Sequence, residues 1–414
     1  MEQTMSDTGQ LKIQVVSRVN NRPIYNARIS ITYTGGPGTV IKTLTTDNSG
    51  NTEEITLDTP PLQYSLEPSE NQPYSEYSFQ VEAEGFEPLL IAGAELLPTI
   101  TALQIIRMSP MQRLGDFQDY VISAHTLFEE YPPKIPEAEI KPVTESGEIV
   151  LQRVVVPEYV VVHDGVPDDS GAENYYVRFK DYIKNVASSE IYATWPEESI
   201  KANVLAIMSF TMNRVYTEWY RNRGYNFTIT SSTTYDHKWI PERNIYDTID
   251  MIVDELYTSY LSRPNVRQPI LTQYCDGRRV SCPNWMTQWG SKYLADQGYS
   301  AIEILRYYYG QDIYINTAEA VSGVPISWPG SDLDIGSSGE DVRQIQEQLN
   351  VISEVYSAIP EIDLVDGIYG EETQEAVREF QSVFGLPQTG VVNYRTWYKI
   401  QEIYVGVTRI AELV

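Results

Sequence analysis

Between residues 11 and 108 apolar and polar positions alternate in short runs: LKIQVVS, ARISITYTG, VIKTLTTDNSG, EEITLD, YSFQVEAEGF and ALQIIRM, separated by Asn, Gly and Pro. A period of two puts every second side chain on one face of a strand, so these runs predict a small antiparallel β-sandwich over 1–108. The period changes after residue 196. Ile200, Val204, Ile207, Met208, Thr211 and Val215 recur at helical spacing, and the S/T-x-x-E form of Thr194-Trp195-Pro196-Glu197 predicts a capping box at the helix start, with Pro196 tolerated in the first turn. Near the C-terminus Val342, Ile345, Leu349 and Ile352, then Thr373, Val377, Phe380 and Phe384, outline two amphipathic helices on either side of a DGIYG turn, with a third short helix over 396–403. Residues 109–150, including YPPKIPEAEIKPVTESGEIV with its four prolines, read as a charged linker with an exposed, protease-accessible tip. The chain is therefore expected to be multidomain: an all-β sandwich (1–108), a linker (109–150), a central α+β domain (151–328) and a three-helix domain (329–414).

A length of 414 residues suits two to four domains, each with its own core. Acidic residues number 57 against 30 basic, a net charge of −27, and residues 1–150 alone carry −12. Such a surface repels phosphate backbones and anionic headgroups, which argues against nucleic acid and membrane partners and favours a neutral or cationic ligand such as a glycan. The N-terminus MEQTMSDTGQLKIQVV lacks a basic region followed by an apolar one, so no signal peptide is expected. No apolar run of about 18 residues predicts a membrane span. The two cysteines, Cys275 and Cys282 in QYCDGRRVSCPNW, admit a small-loop disulfide, half of a metal site, or two free thiols. Zinc ordinarily takes four ligands, and His125, His163 and His237 are scattered, so a disulfide or free pair is favoured over a metal site.

One stretch concentrates candidate chemistry: NVASSEIYATWPEESIKANVLAIMSFTMNRVY, residues 185–216. Glu190 stands just before the expected cap, beside Ile191, Tyr192 and Trp195. A carboxyl against apolar surface keeps its proton to higher pH, as a general acid requires. Glu197 and Glu198 fall in the first helical turn, where acidic residues commonly serve the helix dipole.

Three resemblances attach to these residues. NRPIYNARISI, TTDNSGN and FQVEAEGFEP resemble carboxypeptidase-regulatory-like and Cna-B-like sandwiches. LDIGSSGEDVRQIQEQLN followed by DGIYGEETQEAVREFQ and the later TGVV resembles the peptidoglycan-binding domain 1 family. That resemblance implies a wall glycopeptide as ligand, with Tyr369, Thr373 and Trp397 as candidates in the groove between the helices. NVASSEIYATWPEESIKANVLAIMSF and WMTQWGSKYLADQGYSAIEILRYYYG, over about 170–320, resemble the stage II sporulation protein D family of lytic transglycosylases. Glu190 falls on that family's catalytic glutamate, Lys201 and Asn203 on its lysine and glutamine, and Thr287, Gln288 and Trp289 on cleft positions. Met208 replaces a family arginine, for which Arg214 is a candidate substitute, and the Cys pair lacks the His that completes a zinc site in some members.

The order of parts resembles spore cortex-lytic enzymes. It implies an inactive precursor in or near the spore cortex, a subtilisin-like germination protease as activating partner, and cortex peptidoglycan as substrate. The cut is expected at Val150–Leu151, ahead of the apolar VVVPEYVVV, with residues 1–149 blocking the cleft until then. In a lytic transglycosylase one glutamate protonates the leaving oxygen and then takes the proton of the muramyl 6-hydroxyl, whose intramolecular attack replaces an activated water. Neither cofactor nor metal is expected. A muramidase using water and a non-catalytic wall-binding scaffold are the competing readings.

Overall fold

The computed structural model describes residues 7–36, 38–111, 117–129, 131–141, 153–322 and 328–408. The N-terminal alternation forms two sheets. Asp7–Ser17, whose inward residues Leu11, Ile13 and Val15 are fully buried, lies between Ile55–Thr59, antiparallel, and Thr101–Met108, parallel. The second sheet runs Lys42–Thr45, Arg28–Tyr33, Ser75–Glu82, Leu89–Leu96, Gln118–Val121, and its last pair is also parallel. The expectation of a purely antiparallel sandwich is corrected on this point: long connections return the chain beside an earlier strand in the same direction, which hairpins cannot do.

The first sheet does not end with the N-terminal region. Ile245–Tyr246, from the middle of the chain, pairs antiparallel with Leu103 and Ala102 at its edge. The expected exposed linker also proves different. Ile122, His125, Leu127, Tyr131, Lys134 and Lys141 are all buried, laid across the central region. Apolar and paired charged groups alternate with prolines there, so the segment buries as well as a strand while presenting no hydropathy period to read. The expected cut at Val150–Leu151 lies outside the described residues.

The central region is α+β. Its middle element, Glu197–Tyr216, is buried on nearly every face, as befits a helix apolar all round. Ser209 and Asn213 survive there because their side chains bond the carbonyls of Ile270 and Pro269. The helix starts where the sequence placed it, but no capping box forms: Thr194 Oγ1 bonds Ser65 Oγ at 2.8 Å instead, and Pro196 occupies the cap. Packed around it are helices Phe179–Glu190, Asp247–Leu256, Gln288–Asp296 and Ala301–Tyr309. The apolar VVVPEYVVV is split at Pro157 into Val155–Val156 and Tyr159–His163.

Three C-terminal helices, Glu340–Ser353, Glu371–Val383 and Tyr394–Thr408, bury the expected apolar positions. In the turn between the first two, Gly367 has φ +76°, and a Cβ there would stand 2.9 Å from the Gly339 carbonyl, so glycine is required. The side chain of Gln346 locks the turn, accepting from Gly367 N at 2.9 Å and donating to Ile368 O at 3.0 Å.

Candidate active site

Glu190 is the last residue of the Phe179–Glu190 helix, because Ile191 turns to extended backbone (φ −137°, ψ 150°). A helix end leaves carbonyls without intrahelical partners, and here three separate parts of the chain supply them. Arg243 donates to Ser188 O at 2.6 Å, and Thr126 donates to Ser189 O from both its amide and its hydroxyl. Gln288 Nε2 donates to Glu190 O at 3.1 Å, and His125 Nε2 to Ile191 O at 3.3 Å. The backbone bearing Glu190 is thus pinned from the central region by Arg243 and Gln288, and from the N-terminal segment by His125 and Thr126.

The carboxylate is fully buried. Oε1 accepts from Lys238 N at 2.6 Å and Oε2 from the Tyr274 hydroxyl. Burial pushes this carboxyl above the ordinary carboxylate range, and the opposing pull of the Lys134 ammonium, the Tyr274 hydroxyl and the Lys238 amide does not cancel it. Tyr274 is raised well above a normal phenol by burial and by the adjacent Glu190 charge, so it remains a donor. His237 stacks parallel to Tyr274 with ring centroids 5.8 Å apart, and burial keeps it neutral. Tyr182 OH bonds its Nδ1 at 3.0 Å, while its Nε2 has no hydrogen-bond partner among the described residues. The same holds for Gln288 Oε1. Two buried polar atoms without partners among the described residues, on side chains that bond Glu190 or stack on its donor Tyr274, leave the hydrogen bonding around one raised carboxyl incomplete.

Other carboxylates of the region are committed. Asp236 accepts from Arg214 Nε, the Tyr220 hydroxyl and both donors of Thr230; Asp276 accepts from the amides of Arg279 and Val280. Glu198 accepts from Ala301 N, and Glu197 pairs with Lys201 at 2.7 Å.

The second sequence block comes to the site as a unit. Thr287 begins the Gln288–Asp296 helix and its hydroxyl meets Tyr308 OH at 2.9 Å; Gln288 reaches the Glu190 carbonyl; Trp289 packs on Trp195 at 4.9 Å. Asn203 links this helix to Glu197–Tyr216, donating to Ser291 Oγ at 2.7 Å. No side chain fits at Gly290, where a Cβ would stand about 2 Å from Thr287 Oγ1 and Tyr308 OH. Lys201 stays near the surface, paired with Glu197 and Glu255. Met208 is core, and Arg214, its candidate substitute, is spent on Asp236 and on Glu137 of the N-terminal segment.

Three expected groove residues are buried. Tyr369 and Trp397 are not groove residues: both are buried, Tyr369 bonding the Gly390 carbonyl at 2.9 Å and Trp397 packing on Trp328. Thr373 is likewise buried, accepting from Gln346. Thr373 and Trp397 serve the cores of their helices, and Tyr369 packs inside the turn that precedes the second helix. Cys275 and Cys282 form a disulfide, and no cluster of three or more metal-ligating side chains occurs among the described residues. The disulfide closes a loop that grips the N-terminal region: Arg278 bonds Ser69 O and Glu70, and Arg279 bonds Leu127 O and Phe128 O.

Tyr274, His237 and Lys134 were not singled out from the sequence. His237 lies in TTYDHKW, inside the family-like stretch, and Tyr274 directly precedes Cys275; those neighbours were the available signals. Lys134 gave none, since a lysine among prolines reads as solvated.

Comparison with known proteins bears on both halves. The family model for stage II sporulation protein matches residues 170–259, which contain Glu190, Asp236 and His237, and the model for the peptidoglycan binding domain matches residues 338–400. The zinc D-Ala-D-Ala carboxypeptidase of Streptomyces albus G is 36% identical over 77 residues, 19% of this chain, and the chain spans 28% of that relative's length. Among solved structures, the SleB N-terminal domain is 29% identical over 19% of this chain and 99% of its own, with a TM-score of 0.17. The Bacillus anthracis TIE protein is 16% identical over 25% of this chain and 18% of its own, with a TM-score of 0.19. At those scores neither likeness carries an argument. Two segments of the chain are thus similar to known families, one to stage II sporulation protein and one to the peptidoglycan binding domain.

Proposed function

We propose that this chain is the inactive precursor of a lytic transglycosylase that cleaves the glycan strands of spore cortex peptidoglycan, activated by proteolysis within the segment after residue 141. The observation that carries the proposal is Glu190: a fully buried carboxyl held above the ordinary range, inside the segment matched by the sporulation family. Glycosidic cleavage needs a proton on the leaving oxygen. Glu190 supplies it, with Tyr274 fixing one carboxyl oxygen and Lys238 N the other. After bond breaking the same carboxylate takes the proton of the muramyl 6-hydroxyl, which closes on the anomeric carbon. A retaining or inverting hydrolase would use a second carboxylate, and Asp236, Asp276, Glu197 and Glu198 are engaged elsewhere, which favours the single-carboxyl route over a water-using muramidase. The C-terminal helices hold the enzyme on the wall, and a subtilisin-like germination protease makes the cut.

Precursor status is supported by the cover over the site. Tyr131 and Lys134 face Glu190, and His125 and Thr126 bond the helix end that carries it. Glu190→Gln keeps shape and removes the proton. In the cut protein it should lower release of soluble glycan from cortex fragments by roughly 10²–10⁴-fold, the usual contribution of a general acid. Retention of more than about a tenth of wild-type activity would rule Glu190 out as that acid.

A further inference from the structure

Residues 131–141, YPPKIPEAEIK, run extended along 268–273 in a ladder built partly from side chains. Ile135 N donates to Thr234 O, Gln273 brackets the strap by bonding Ile135 O and Glu137 N, Leu271 N donates to Glu139 O, and Gln268 Oε1 accepts from Lys141 N. Three prolines preset much of this backbone, so little conformational entropy is lost on docking. The other charges of the strap are matched: Glu137 takes Arg214 and Lys141, and Glu139 takes Arg263.

Lys134 turns inward with no ion pair among the described residues. Its Nζ donates to the carbonyl of Thr233 at 3.0 Å and to that of Asp236, and lies over the rings of Tyr274, at 5.0 Å from the centroid, and Phe210, at 5.9 Å. Those four groups belong to the central region. Two carbonyl oxygens and two aromatic faces around one cation are the means by which a protein holds an ammonium, and this hole adjoins Glu190, whose hydroxyl donor is the same Tyr274. We infer that the central region carries a binding site for a primary ammonium on an apolar stem, formed by Thr233 O, Asp236 O, Tyr274 and Phe210, and that the uncut chain keeps its own acid chamber occupied by filling this site with Lys134. Burial lowers the affinity of Lys134 for its proton, and the charges of Glu190 and Asp236 oppose that loss. The site explains why a lysine is buried in a segment otherwise held by its backbone and its surface charges.

That occupancy silences the enzyme rests on the reading of Glu190 as the acid; the ammonium site itself does not, and its test needs no activity. Amide hydrogen exchange of residues 131–141 is followed in the full chain for wild type, Lys134→Ala and Lys134→Met, the last retaining most of the stem volume so that a packing defect is separated from loss of charge. Exchange in the strap is expected to quicken at least about tenfold in both variants, in line with loss of hydrogen bonds to a charged group. In Lys134→Ala, added n-butylammonium should restore protection and n-butanol should not. Unchanged exchange in the two variants, or equal rescue by the amine and the alcohol, would overturn the proposal. A protein that never cleaves glycan, cut or uncut, would instead refute the proposed function and leave the exchange result standing.

Discussion

The N-terminal sheets reach the Glu190 helix through the buried pair of Glu95 with Arg243, whose guanidinium also holds the Ser188 carbonyl, and through the strand shared between Leu103 and Ile245. The C-terminal helices reach the same helix differently. Lys180 and Lys184 meet Asp250 and Asp254, which also take Arg395, and Lys180 meets Glu402, in a partly solvated network. Burial opposes the charge on Asp254, yet the surrounding cations hold it well below the usual carboxylate range. The first attachment also covers the acid with residues 122–141; the second touches the opposite end of the helix and leaves Glu190 alone. Two interfaces of comparable intimacy can therefore have different consequences, one set by where it bonds the helix terminus and the other by how many charges share the load.

The largest effect expected from this contrast concerns the cover. Cutting the chain after residue 141 and removing the N-terminal part should raise glycan release from cortex fragments by at least roughly 10²-fold, because a general acid is being restored, and adding that part back should reverse the rise. Equal initial rates for cut and uncut protein would make the N-terminal region a passenger. Next in size is Arg243→Met, which leaves Glu95 buried without its partner. A half-broken buried pair typically costs about 3–5 kcal/mol, to be read from the unfolding midpoint in urea. Arg395→Met removes one of several cations from the C-terminal network, and its cost should be smaller, because Lys180 and Lys184 still meet Asp254. A cost equal to that of Arg243→Met would erase the distinction between the two interfaces.

A smaller effect lies in titration. The groups facing Glu190 are Lys134, Lys238, Tyr131, Tyr182 and Tyr274. Lys134→Met in the uncut chain leaves burial in place and removes the strongest opposing charge, so Glu190 should hold its proton to still higher pH, followed by its infrared carboxyl band. Its folded value lies above the unfolded one; its contribution to stability is therefore complete below the ordinary carboxylate range and lost as pH rises through the raised value. A shift of that band to lower pH would contradict the assignment of Lys134 beside Glu190.

Legibility from sequence followed the range of the interactions. The strands of the first hundred residues and the three C-terminal helices were readable because a local period of two or 3.6 fixed which side chains faced inward. Glu190 was readable from its apolar neighbours and motif position. The strap was not. Lys134, Glu137 and Lys141 look solvated in a proline-rich stretch, and only partners 70 to 140 residues away, such as Arg214 and Gln273, bury them. Tyr369 and Trp397 failed in the opposite sense: an aromatic in a turn or a helix serves core and ligand alike, and burial decided for the core.

The central claim is single-carboxyl chemistry at Glu190, and the end groups of the products test it most directly. Mass spectrometry of the soluble muropeptides released from cortex by the cut wild-type protein should find 1,6-anhydromuramic ends, formed by attack of the muramyl hydroxyl, and Glu190→Gln should release almost none. Reducing muramic ends in their place would show that water is the nucleophile and contradict the account.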